Sequence, residues 1–241
     1  MSVDSDLGKI CYFEDFVGWD IIADQPEVAV DTDPAVEIVA AGIGGVVRIT
    51  MDAGQTNIGG IIVGQTQWSV YDNFLEFSAR VKLSAVGAAA ERVFVGLTDL
   101  QEDTVSEMPF TGATTVLTAS GNPDDCIGFF YEGDMTGQYW QPGSIDGDAV
   151  VVGSATNAMD VIQRANAALV AGQWHTLKFR VENAGFHATF YVDGREVYRY
   201  VSTTAPVTSD VPFVPVFVAT EGTTAIDADL DYIKVEMGRD N

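Results

Sequence analysis

An all-β, antiparallel two-sheet sandwich of the jelly-roll type follows from three features of the sequence. Apolar residues recur with period two along most of the chain, and helical periodicity is nearly missing. Clusters of Gly, Asn, Asp and Pro break the pattern about every eight to twelve residues, which leaves on the order of ten or more short strands. That number suits two packed sheets better than one open sheet. At 241 residues the chain can bury most of its apolar surface without disulfide staples. No repeat, linker or shift in composition marks a boundary, so one domain over 1–241 is expected.

GVVRITM (45–51) is the first well-patterned strand, and FLEFSARVKL (74–83) is the clearest. In the latter, Leu75, Phe77, Ala79, Val81 and Leu83 share one face, while Glu76, Ser78, Arg80 and Lys82 share the other. This is the signature of an antiparallel strand buried on one side. RVFVGLT (92–98) and CIGFFYE (126–132) read as further strands. AMDVIQRANAAL (158–169) is the single helix candidate, although its apolar residues fit a strand and loop equally well.

GQWHTLKFRVENAGFHATFYVDGREVY (172–198) predicts three consecutive strands. Leu177, Phe179 and Val181 alternate with Thr176, Lys178 and Arg180, and 182–185 forms a turn. Phe186, Ala188, Phe190 and Val192 then face the core, with His187, Thr189 and Tyr191 outward. Asp193–Gly194 supplies two residues that tolerate positive φ, the pairing a tight hairpin needs. PVFVAT (215–220) and LDYIKVEM (230–237) complete the strands.

The Trp-His-x-Leu-x-Phe-x-Val strand followed by a hairpin into Phe-Tyr-Val-Asp-Gly-Arg resembles the concanavalin A-like lectin/glucanase superfamily, in particular its laminin-G-like jelly rolls. Phe13-Glu14-Asp15-Phe16…Trp19 and Leu230-Asp231-Tyr232-Ile233-Lys234-Val235 resemble that fold's first and last strands, which pair. The resemblance spans nearly the whole chain. It specifies architecture, and it implies no single activity, because the fold hosts lectins, glycosidases, adhesion modules and virion proteins.

A search for chemistry gives few candidates. Glycosidases of the superfamily carry Glu-x-Asp-x-x-Glu on one strand, and the chain has no such motif. Asp227, Asp229 and Asp231 share its period-two spacing, but they run toward Ile233 and Val235 and are read as a solvated strand start. His175 and His187 are expected on outward faces, with no nucleophile motif to serve. The protein is therefore expected not to be an enzyme. Acidic turns containing Asp124 and Asp125, Asp134, and Asp146 with Asp148 are candidates for Ca²⁺ through oxygen ligands, as the laminin-G-like resemblance implies. No other cofactor is expected. For a glycan or partner, the candidates are Tyr131, Tyr139 and Trp140 with the nearby polar Asp134, Gln138 and Gln141, and also Trp68 beside Tyr71.

Charge narrows the partners. Twelve Lys and Arg stand against 35 Asp and Glu, a net charge of −23. Such a chain repels phosphates, which excludes nucleic acid. The first residues lack the basic and apolar regions of an export signal, and no run approaches the ~20 apolar residues of a membrane span. Cys11 and Cys126 are accordingly expected as thiols rather than a disulfide. The function expected is that of a non-enzymatic structural protein of a virion, a bacteriophage head decoration or cement protein. It would be made in the host cytoplasm, bind the outer surface of the major capsid protein, and form a homo-oligomer. The alternatives are a carbohydrate-binding lectin-like module and a glycoside hydrolase of the same fold.

Overall fold

The computed structural model describes residues 9–17, 28–30, 35–39, 45–53, 58–63, 68–70, 74–87, 91–99, 108–113, 115–120, 123–182, 186–220 and 222–238. Trp19 and Tyr71 lie outside them. The first strands are β1 (Lys9–Glu14), β2 (Val28–Val30), β3 (Ala35–Ile38), β4 (Val47–Met51), β5 (Ile58–Ile62) and β6 (Phe74–Leu83). Next come β7 (Arg92–Thr98), β8 (Phe110–Ala113), β9 (Val116–Ala119), β10 (Cys126–Glu132), β11 (Gln141–Asp146) and β12 (Ala149–Val150). After the helix α1 (Val161–Asn166) follow β13 (Trp174–Glu182), β14 (His187–Val192), β15 (Arg195–Val201), β16 (Val214–Thr220) and β17 (Ile226–Gly238).

Two antiparallel sheets and one separate hairpin result. The first sheet has the order β15-β14-β13-β6-β17-β4-β3, with β1 also paired to β17. The second has the order β12-β11-β10-β7-β16-β5-β2. Neighbouring strands in a sheet are mostly distant in sequence, because the chain alternates between sheets as a jelly roll does. The paired first and last strands put Lys9 opposite Gly238 and Glu14 opposite Ile233, as expected from the resemblance.

The core lies where the period-two pattern puts it. On β6 the inner residues Leu75, Phe77, Ala79, Val81 and Leu83 are fully buried, and the outer ones are half-buried. Phe77 stacks on Phe179 at 5.2 Å across the β6–β13 pair, and Phe179 touches Phe190 at 5.9 Å. Phe190 then meets Phe129 of the second sheet edge-on at 5.6 Å. This aromatic spine joins the two layers, and each contact adds about 0.5–1.5 kcal/mol to the burial itself.

The second sheet is buried on both faces, as the unbroken apolar run of β10 and β16 requires. Its outer face carries Phe94, Phe130, Ile145, Val216 and Val218, which pack with Met108, Phe110, Leu117 and Met135 in a second apolar cluster. Phe110 and Leu117 come from the β8–β9 hairpin. Gly96, Gly128 and Gly143 are cross-strand partners in one row of β7, β10 and β11. A Cβ on Gly143 would stand 2.7 Å from Leu117 and 3.0 Å from Phe110. The glycine furrow is thus what lets the hairpin lie flat against the sheet.

Four expectations need correction. His175 is 4% exposed and shares the inner face with Leu177, because it stands two residues before it on the same strand; Asp193 and Val170 satisfy its ring, Nδ1 lying 2.8 Å from Asp193 Oδ2 and Nε2 accepting from Val170 N–H. Phe186 precedes β14 and is exposed, since its alternation begins only at His187. The helix is shorter than 158–169. Asp160 and Gln163 close a capping box that fixes it, and no residue of it is buried. Asp227, Asp229 and Asp231 do not share a face with Ile233 and Val235. A bulge between Leu230 and Tyr232 shifts the phase by one residue, so the carboxylates point outward while Ile233 and Val235 point inward. The Asp146–Asp148 acidic segment is a turn, as the sequence reads, and joins β11 to β12 with Gly147 at φ 54° and Asp148 at φ 67°.

Candidate functional site

The outer face of the first sheet is the most elaborately ordered polar surface among the described residues. Antiparallel register aligns its side chains into rows that cross several strands. One row runs Glu37, Arg48, Asp229, Lys82, Trp174 over five strands. A second runs Phe13, Lys234, Ser78, Lys178, Tyr191, Glu196, and a third Cys11, Glu236, Glu76, Arg180, Thr189, Arg199.

Charges alternate within and between these rows. Asp229 accepts from Arg48 Nε and Lys82 Nζ, both at 2.7 Å, while Asp227 lies 3.6 Å from Arg48. Arg80 meets Asp231 at 2.8 Å, and Lys234 meets Glu236 at 2.8 Å. Glu76 holds Lys178 at 2.8 Å and stands 3.6 Å from Arg180, whose Nε also donates to Glu182 at 2.6 Å. Arg199 donates to Glu196 at 2.6 Å, and Lys9 lies over the Phe74 ring. Together with Glu37, these residues make eight cations and eight carboxylates. Among the described residues the face is therefore close to neutral, while the other described residues carry 14 carboxylates and three cations.

Trp174 on this face is not an open ring platform, because Arg80 and Lys82 stand 5.0 and 4.8 Å from its ring. Tyr191 is half-buried as well, with Lys178 Nζ 5.9 Å from its ring centroid. It floors a groove of about 330 Å³ at the end of β13, β14 and β15, lined by Arg180, Glu182, His187, Thr189, Tyr191, Arg199 and Val201. Arg180 is fixed against the Phe74 ring at 4.2 Å. A shallow site with one aromatic ring, a hydroxyl, an imidazole, two guanidiniums and a carboxylate can hydrogen-bond a polar ligand from several directions. The sequence already places Thr189, Tyr191, His187 and Arg180 outward, but alternation alone gives no sign that they converge.

The aromatic candidates are elsewhere and closed. Trp140 and Trp68 are 0% and 1% exposed, Tyr131 is 1% and Tyr139 is 6%. All four belong to the main core cluster, and Tyr131 packs against Trp140. The Tyr131 hydroxyl receives Gly87 N–H and donates to Gln138 Oε1, both at 2.8 Å, while burial raises its ionisation well above the ordinary range. Rings enclosed in this way have no face to offer a sugar, so they serve packing.

The acidic turns do gather. Asp124, Asp125, Asp146 and Asp148 meet Asp99 at the ends of β7, β10 and β11, with Asp148 N–H bonded to Asp124 O and Asp99 N–H to Asp125 O. Thr208, however, occupies them, since its N–H donates to Asp125 Oδ1 and its hydroxyl to Asp146 Oδ1. The Asp124 carboxyl is raised chiefly by its hydrogen bond with Asp148, as befits two carboxylates sharing a proton. Burial, then Asp125 and Asp124, push the Asp99 carboxyl up to about 6. Among the described residues no three His, Cys, Asp or Glu side chains converge on a point where a metal ion would sit.

The chain matches no protein-family model and no curated protein. It is similar to solved structures. The potassium-bound Emp46p carbohydrate recognition domain aligns at TM-score 0.59 with 11% identity, over 89% of this chain and 92% of that one. A structure from a study of endo-acting O-glycanases of the human gut microbiota aligns at 0.59 with 14% identity, over 95% and 99%. Peanut lectin aligns at 0.57 with 8% identity, over 97% and 99%. Identities this low bear on architecture alone, and the architecture is a concanavalin A-like jelly-roll sandwich.

Proposed function

We propose that the protein is a non-catalytic recognition module that binds glycan in the groove over β13, β14 and β15. The observation that carries this reading is the convergence there of Tyr191, Thr189, His187 and two arginines in a concave polar site. The fold's occurrence in carbohydrate recognition domains and a lectin supports it. Cleavage is not part of the proposal, because glycoside hydrolysis needs two carboxyl groups flanking one bond and, among the described residues, Glu182 is the single carboxylate lining the groove. A glycan array probed with the wild-type protein and with Tyr191→Ala tests it. Loss of the ring should weaken any hit by about tenfold, equivalent to ~1.4 kcal/mol. An array without hits, or hits that Tyr191→Ala leaves intact, would overturn the reading.

The segregation of charge favours a second reading, that of a virion decoration protein. A chain of −23 whose described first sheet presents a nearly neutral face meets least repulsion from an acidic protein shell when it approaches through that face. Stoichiometric co-purification with intact particles would support attachment to a capsid exterior. Its absence from purified particles would end this second reading.

A further inference from the structure

We infer that the groove's ligand is an acidic saccharide, whose sugar carboxylate is received by Arg180 and Arg199 from either side of Thr189. This rests on the glycan-binding reading and specifies its ligand class. Arg180, Thr189 and Arg199 are consecutive members of one cross-strand row. Strands lie about 4.8 Å apart, so the two arginines straddle Thr189 with backbones roughly 10 Å from one another. Their side chains rise from the same face and line the same concavity.

Each guanidinium already holds a carboxylate, Arg199 that of Glu196 and Arg180 those of Glu182 and Glu76, and the partner of Arg199 is replaceable. Arg199 and Glu196 are 58% and 40% exposed, and their contact is a three-residue-apart surface pair. Such pairs contribute roughly 0–1 kcal/mol, so a ligand carboxylate exchanges for Glu196 at little cost. Arg180 differs, because Phe74, Glu76 and Glu182 fix its position and leave it pre-oriented. A planar carboxylate matches the fork of an arginine in a two-point hydrogen bond. Arg180 and Arg199 together outnumber Glu182 among the lining residues, so in a chain with 35 carboxylates this groove tolerates an anion. Tyr191, in the adjacent row, is placed to support the sugar ring while the acid is held.

Calorimetric titration with tri-galacturonic acid, its methyl ester and a sulfated neutral trisaccharide tests the inference. The free acid should bind about tenfold or more tighter than the ester, the equivalent of one good charge-assisted contact. Arg199→Gln should bring the ratio of acid to ester affinity down to within about twofold of one. Glu196→Gln, which releases Arg199 from its internal partner, should tighten the acid by about threefold and leave the ester unchanged, a gain that a merely structural role for Arg199 would not produce. Equal binding of acid and ester, or preference for the sulfated sugar, overturns the carboxylate assignment. Ester or other neutral glycans binding while the acid does not would overturn it too and leave the glycan reading standing. Absence of binding to every sugar on an array as well as to these three removes both.

Discussion

Asp229 shows how a single carboxylate is kept charged in a buried position. It is 2% exposed, and burial alone would raise its carboxyl, yet the hydrogen bonds from Arg48 and Lys82 outweigh this and hold it below the usual range. A depressed carboxyl stabilises the fold above its unfolded value near 3.9 and loses that contribution as pH falls through the folded value. Asp229→Asn should therefore cost about 2–4 kcal/mol at pH 7, since two cations lose their partner. The gap between wild type and variant in thermal melts should narrow once the pH drops below about 4. Asp99 behaves in the opposite sense. Its carboxyl is raised to about 6, so its favourable contribution is complete below the unfolded value and is lost as pH rises through about 6. Asp99→Asn should accordingly stabilise at pH 7.5 by about 1 kcal/mol, discounted for its partial exposure, and give no gain at pH 4. Neither behaviour is legible in the sequence. Alternation places Asp229 outward, but only the cross-strand register brings Arg48 and Lys82 to it from 181 and 147 positions away. For Trp68 and Trp140 the failure is different: local composition cannot distinguish a ring beside a turn from a ring beneath one.

The β13–β14–β15 meander was largely specified by its own residues. Alternation gave the faces apart from the expectations for His175 and Phe186, and the Asp193–Gly194 turn, with φ of 51° and 76°, set the hairpin, while the bulge between Phe190 and Tyr191 that shifts its register has no local mark. The β8–β9 hairpin was not visible, because FTGA and VLTA are too short to show a period and their role depends on a glycine furrow formed by three other strands. That hairpin is what closes the outer face of the second sheet. Phe110→Ala should cost about 3–5 kcal/mol, as expected for a large buried ring. Hydrogen exchange should then rise in 110–119 while β6 and β13 keep their protection. Uniform loss of protection in both sheets would show instead that the hairpin is integral to the whole fold. The β17 bulge is a similar case: the sequence contains both the outward aspartates and the inward Ile233, and nothing local marks the phase change between them.

The described residues separate their charge, with balanced rows over the first sheet and a negative excess outside it. Raising NaCl from 10 mM to 1 M shortens the screening length from about 30 to about 3 Å, so repulsion across the molecule fades while close pairs on the first sheet lose little. The melting temperature should rise across this range, and a fall would mean that the ion-pair rows outweigh the net charge. Composition made the acidity plain at once, but the balance of charge over one face needed the sheet.

The pairing of β1 with β17 carries a mechanical consequence. Lys9 and Gly238 sit opposite one another at the same end of an antiparallel ladder. A pulling force applied through these two residues would separate the strands one rung at a time, as a zipper opens, rather than shear all the rungs together. Held by its ends the molecule would yield at low force, whereas held by the face of its first sheet it would bear load on many strands at once.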